Sequence, residues 1–289
     1  MAKDIPTLRD AEEAYESGDI ETTLAICDGL IGEDESKAEP EVLYLAGECL
    51  LEMQEEVEAL HFFELALEQD PQNPLLLHCR GLCLFELGRP KEAKPLFEKA
   101  RAEAPELAEP VFYLGLLEER ANNRDAAQRL FAAAVELDPE NFVMPIAWGD
   151  EAIKAAFDNM VEEIPEPLSV WLAGLPVVVE QAPPASMLVR EGSPISPLVH
   201  CLFVGTPSEG PEGDAPSAWL SARPEQVFLY SDNLGKSAQN EYELTREVSE
   251  AVLWEVMEFL SLDEDQLETL GVMSEDIEED DEELSPSGG

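Results

Sequence analysis

One spacing constrains the fold of this chain more than any other feature. Gly47, Gly81 and Gly115 stand 34 residues apart, and so do Ala59, Ala93 and Ala127. Phe63, Phe97 and Phe131 keep the same step, as do Ala66, Ala100 and Ala134, and then Pro71, Pro105 and Pro139. A period of this length means stacked units, each too small to bury its apolar face alone. Apolar spacing divides a unit into two amphipathic helices, for example EVLYLAGECLLEM and then VEALHFFELALEQD, closed by a proline that cannot continue the second helix. The small residues admit close helix approach, the phenylalanine fills the space beside the glycine, and the second alanine faces the next unit.

This pattern, from Pro40 to Asn141, resembles the tetratricopeptide repeat. Upstream, AYESGDIETTLAICDGLI has a turn at Gly18-Asp19 and the apolar face Leu24, Cys27 and Leu30, so residues 4 to 39 read as a divergent capping repeat. The resemblance implies a superhelix whose first helices line a concave groove. By register the groove positions are Tyr44, Glu48, Leu51, His78, Leu82, Phe85, Phe112 and Leu116. That surface is apolar and aromatic with almost no positive charge, unlike grooves that clamp acidic peptide termini with Lys and Asn. An amphipathic helix or extended apolar segment of a protein partner suits it, with Phe85 and Phe112 as anchors. The competing occupant is the chain's own second half.

Charge limits the partners further. The 289 residues carry 64 Asp and Glu against 17 Lys and Arg, a formal net charge of −47. At 45 % hydrophobic residues the chain still has enough apolar material for a core. Such a polyanion repels nucleic-acid phosphate and anionic lipid, which excludes both as partners. The N-terminus has no apolar signal region, and no run of about 18 apolar residues occurs, so a soluble, cytoplasmic protein is expected. Cys27, Cys49, Cys79, Cys83 and Cys201 are too few for a disulfide framework and read as small buried apolar groups. His78, Cys79 and Cys83 suggest a metal site, but Cys83 repeats the packing position of Cys49 and no second ligand pair is near in sequence.

After Asn141 the period is lost. A helix around AWGDEAIKAAFDNMVEEIP precedes strand-like runs at 174 to 181, 198 to 205 and 226 to 234, and a long helix spans about 241 to 260. The order, from about Phe157 to Gly271, resembles the minimal zincin-like metallopeptidase domain, whose last helix carries HExxHxxGxxD. Here the corresponding segment runs from Trp254 to Glu264, and DEDQLETLG follows it.

In active members of that family two histidines and a later carboxylate hold zinc, and the glutamate beside the first histidine activates water. Trp254 stands at the first ligand position, Glu258 at the second, Ser261 at the glycine and Glu264 at the aspartate. Glu255, the position of the general base, is unchanged. An indole N–H is a donor only. The remaining carboxylates would at best suit calcium or magnesium. His200 and Cys201 are adjacent on a predicted strand, so at most one faces the site, and His200 reads as an ordinary strand residue. Trp254 and Phe259 are placed to fill the former metal cavity. Eight carboxylates between Glu275 and Glu283 repel one another and stay solvated, which suits a solubility tail or an arm for a basic partner or divalent cations.

The expected architecture is an α-helical tetratricopeptide solenoid over residues 4–142, a small α+β zincin-like domain over 143–273 and an acidic disordered tail over 274–289. The expected function is non-catalytic: protein or peptide capture through the repeat groove, with no cofactor and a metallopeptidase-like domain without metal. The alternative is a divergent metal-dependent peptidase with Glu255 as general base and its cation, zinc if this reading holds, on Glu258, Glu264 and a further ligand. A third reading is a regulator that competes with an intact paralogue for substrate.

Overall fold

The computed structural model describes residues 6–190, 193–208, 210 and 216–272. The acidic run beyond residue 272 lies outside them. The chain forms two compact units, Met1–Met144 with Pro184–Pro197, and Pro145–Pro183 with Leu198–Gly289.

The first unit is built from α1 (Leu8–Glu16), α2 (Ile20–Ile31), α3 (Pro40–Glu52), α4 (Glu56–Gln69), α5 (Pro74–Glu86), α6 (Pro90–Glu103), α7 (Ala108–Arg120) and α8 (Arg124–Leu137). Local chemistry sets the helix starts. Proline occupies the first turn of α3, α5 and α6, where its missing N–H costs nothing. Asp19 caps α2 by accepting from the Thr22 amide, and Asn73 caps α5 by accepting from Leu75 and Leu76.

Sterics explain the invariant step of 34. A Cβ added at Gly47 would lie 2.6 Å from the Phe63 ring, at Gly81 2.7 Å from Phe97, and at Gly115 2.6 Å from Phe131. No residue larger than glycine fits there without displacing the ring. Ala59, Ala93 and Ala127, and Ala66, Ala100 and Ala134, are all buried. The turn inside each repeat is held by a left-handed residue, Gln54 (φ 60°), Gly88 (φ 68°) or Asn122 (φ 61°), three positions that are themselves 34 apart.

In the second unit α9 (Asp150–Glu163) and α10 (Leu168–Leu172) lead into β1 (Val177–Glu180). The chain then contributes the hairpin β2 (Val189–Arg190) and β3 (Ser193–Pro194) to the first unit. It returns with β4 (Cys201–Val204), α11 (Pro216–Trp219), β5 (Gln226–Tyr230), α12 (Ser231–Ser237), α13 (Glu241–Leu260) and α14 (Glu264–Thr269). The sheet order is β1-β5-β4, with β1 parallel and β4 antiparallel to β5. Ile153, Phe157 and Met160 of α9, Val248, Val252 and Val256 of α13, and Val227 and Leu229 of β5 share one core.

The strand expected over 226 to 234 ends at Tyr230, and the chain turns into α12. The reason is tertiary: the Asp232 amide donates to the Gln181 carbonyl, and the Gly235 carbonyl accepts from the Ile146 amide at 2.7 Å. His200 likewise lies just outside β4 and is not a strand residue.

Candidate functional site

Helix α13 carries the metallopeptidase-like positions, and its apolar spacing decides which way each one faces. Leu244, Val248, Val252, Val256, Phe259 and Leu260 turn to the core. Trp254 lies off that stripe and is 54 % exposed. It therefore does not fill a former metal cavity, as the sequence suggested. Phe259 is buried, with its ring 5.9 Å from Phe203 and 6.5 Å from Trp171. Glu258, one turn after Trp254, is exposed, and so is Glu264 at the start of α14.

Glu255 is only 3 % exposed, and its carboxylate accepts the Phe203 amide at 2.9 Å. That amide belongs to the side of β4 turned away from β5, because the ladder uses the carbonyls of His200 and Val204 on the other side. A buried carboxyl oxygen satisfies the donor of an edge strand. The same contact joins α13 to the sheet.

At the end of α13, Ser261 adopts φ 52°, ψ 49°, a left-handed cap, and its hydroxyl donates to the Ser208 carbonyl. This is the position where the family motif has glycine, and the backbone keeps the conformation that glycine favours. Asp263 is the N-cap of α14, accepting from Gln266 while the Gln266 side chain accepts from the Asp263 amide. The backbone of the motif is retained; its ligands are not. Tryptophan offers no lone pair to a cation, and without imidazole the remaining oxygens do not fit a zinc centre. Among the described residues no cluster of three His, Cys, Asp or Glu has metal-holding geometry.

His200 meets two residues that sequence reasoning missed. Its Nδ1 lies 3.5 Å from Glu247 Oε2, and its Nε2 lies 3.4 Å from Ser237 Oγ. Burial lowers the imidazole pKa, opposed by the Glu247 charge and helped by Lys236. Both contacts are long for hydrogen bonds, and the Ser237 hydroxyl also faces the Leu234 carbonyl. A cleft of 430 Å³ elsewhere in this unit is lined by Asn159, Glu163, Tyr242, Arg246, Ser249 and Glu250 among others, and by none of the motif positions.

In the repeats, the predicted groove positions divide into two sets. Tyr44, Glu48, Leu51, His78 and Leu82 line one cleft of 360 Å³ with Glu52, Leu75, Leu107 and Glu109. Tyr44, Glu48 and Leu75 also line an adjoining cleft of 350 Å³ with Leu8, Glu12, Tyr15, Glu41 and Asp70. Phe85 and Leu116, by contrast, are buried. Phe85 stands edge-on to Tyr113 at 5.4 Å, and Tyr113 stacks on Phe97 at 5.2 Å. Tyr113, absent from the predicted set, is the residue that closes over Phe85. Phe112 is half-buried beside Phe142, 4.9 Å between ring centres. The five cysteines are all buried thiols outside any disulfide, and burial pushes the Cys27 thiol up to about 11. Cys79 donates to Glu48 at 3.3 Å, a packing contact with no metal partner in it.

The segment Pro184–Pro197 meets the last turns of α5 and α7. The Ser196 hydroxyl donates to Glu86, and Arg120 Nη1 donates to the Pro197 carbonyl at 3.3 Å. No described residue of this segment lines either cleft. Part of the chain that follows β1 thus packs on the repeats, away from the face lined by Tyr44.

A zincin-like metallopeptidase family model matches residues 172–273, and tetratricopeptide repeat models match 62–94 and 84–143. No curated protein matches the chain. Solved structures with similar repeats include YrrB, described as a TPR protein with an unusual peptide-binding site (26 % identity, 55 % of this chain and 75 % of that one, TM-score 0.40). MamA from Desulfovibrio magneticus RS-1 is another (23 %, 53 % and 80 %, TM-score 0.41). The first TPR of Spaghetti (RPAP3), bound to the HSP90 peptide SRMEEVD, is a third (22 %, 36 % and 82 %, TM-score 0.34). No helix among the described residues is long and apolar enough to cross a membrane.

Proposed function

For a chain that combines tetratricopeptide repeats with a zincin-like metallopeptidase domain, we propose a binding role without catalysis. The repeats capture a protein or peptide partner through the face lined by Tyr44, Leu51 and Leu82, and the zincin-like unit keeps its family's fold without zinc. The observation that carries this reading is the state of Glu255. A general base must reach a water and exchange a proton with it, whereas this carboxylate is buried and holds the Phe203 amide. Trp254 beside it cannot ligate a cation. Buried cysteines outside any disulfide are in keeping with a reducing compartment such as the cytoplasm.

The competing reading, a metal-dependent peptidase using Glu255, draws on the family match over 172–273. Metal analysis of full-length protein purified without chelator separates the two. The expected zinc content is far below one ion per chain, with no peptide cleavage that a chelator stops. Stoichiometric zinc lost in Glu258→Ala, together with chelator-sensitive cleavage, would overturn the proposal. For the repeat face, peptides selected from a displayed library on the full chain should lose on the order of tenfold in affinity with Tyr44→Ala or Leu82→Ala. Unchanged affinity in both variants would remove the groove from the account.

A further inference from the structure

Resting on the reading that the repeat face captures a partner, we infer that the occupant of the paired clefts between α1, α3, α5 and α7 is an amphipathic protein segment bearing Lys or Arg. The lining chemistry leads there. Glu12, Glu41, Glu48, Glu52, Asp70 and Glu109 supply the charged groups, and no Lys or Arg lines either cleft. None of these carboxylates is ion-paired with a Lys or Arg among the described residues. Between them lies apolar and aromatic surface: Leu75 is 45 % exposed, and Tyr15 and Tyr44 are half-buried. Tyrosine faces attract alkylammonium and guanidinium groups, and leucines take the aliphatic stems of the same side chains.

A second observation points to a ligand independently of the charge. His78, 9 % exposed, lines the cleft with its Nδ1 hydrogen-bonded to nothing. The imidazole is neutral near pH 7, because burial lowers its pKa to about 4. In either tautomer that nitrogen is left without a partner, a state that buried polar atoms rarely keep. Glu48 is already supplied within the protein, by the Cys79 thiol and the Tyr44 hydroxyl. The other carboxylates accept hydrogen bonds and give none, so the complementary surface is rich in N–H donors and positive charge. An acidic segment would meet like charge here as well as the repulsion of a −47 chain.

The test uses the full chain and three synthetic amphipathic peptides that share one apolar face and carry Lys, Gln or Glu on the other. Fluorescence anisotropy should show the Lys peptide binding at least about tenfold tighter than the Gln peptide, with the Glu peptide weakest. The cleft variant Glu12→Gln, Glu52→Gln, Glu109→Gln should reduce that preference to about threefold or less. A control variant, Glu58→Gln, Glu98→Gln, Glu136→Gln on the outer helices, should keep it. Equal loss in both variants would assign the preference to bulk charge and overturn the inference. Failure of the Lys peptide to bind would also overturn it. Equal binding of all three peptides, lost in Tyr44→Ala, would leave the groove reading standing and refute the basic partner alone.

Discussion

Glu86 and His78 occupy the same helix, α5, and burial acts on them in opposite senses. Burial pushes the Glu86 carboxyl up to about 7 from its ordinary 4.5, against the opposing pull of the Ser196 hydroxyl and Arg120. The folded state therefore holds a proton that the unfolded state has released between those values, and stability falls as pH rises from about 4.5 to 7. His78, lowered from 6.5 to about 4, does the reverse: its contribution is present above 6.5 and is lost as pH falls toward 4. Glu86→Gln removes the first slope and leaves the second. Its stability relative to the parent chain should rise across pH 4.5 to 7 by on the order of 3 kcal/mol, seen as a rising difference in melting temperature. Thermal melts of the two proteins over that range check this. At α13, Glu255→Ala leaves the Phe203 amide buried without its acceptor and should cost about 2 to 3 kcal/mol by chemical denaturation, whereas Glu255→Gln, which still offers an oxygen, should cost less.

At the scale of the element, the repeats were legible because their determinants are local and steric. A glycine that faces a phenylalanine ring across two helices must recur wherever that contact recurs, and Gly47→Ala should accordingly cost about 1 to 3 kcal/mol, measured by urea unfolding. The turn residues were harder to see. Only Gly88 of the three left-handed positions is a glycine, so residue type alone does not mark Gln54 and Asn122, although their register with Gly88 carries the signal. Gln54→Gly, at an exposed site, should stabilise the chain by about 0.5 to 1 kcal/mol in the same assay. In the second unit the sequence order suggests the family, yet the strand-like run through residue 234 hides α12, whose start is fixed by hydrogen bonds to Gln181 and Ile146, distant in sequence. The burial of Phe85 under Tyr113 and the link from Glu255 to Phe203 are long-range contacts of the same kind. Trp254 was misplaced because large apolar residues usually go inside, and this one stands on the outer stripe of its helix.

For the whole molecule, charge is the dominant quantity. A net −47 on 289 residues crowds negative charge on the protein, and exposed pairs among the described residues such as Arg9–Glu13 and Arg89–Glu92 offset part of it. Screening should therefore stabilise the fold, in contrast to proteins held by surface ion pairs. The melting temperature is expected to rise steadily from low salt to about 0.5 M sodium chloride, with most of the gain below about 0.15 M, where the screening length passes about 8 Å. A flat response would mean that the repulsion is already relieved by the protein's own geometry.

The route of the chain has one more consequence. Because Pro184–Pro197 is reached only after β1 has been laid down, and β4 is reached only after that segment, the polypeptide visits the repeat unit twice. A gene cut at Met144 would deliver a repeat array stripped of the hydroxyl that Glu86 accepts and the carbonyl that Arg120 donates to, and a remainder carrying a hairpin with nothing to rest on. Either half made without the other is expected to lose these contacts.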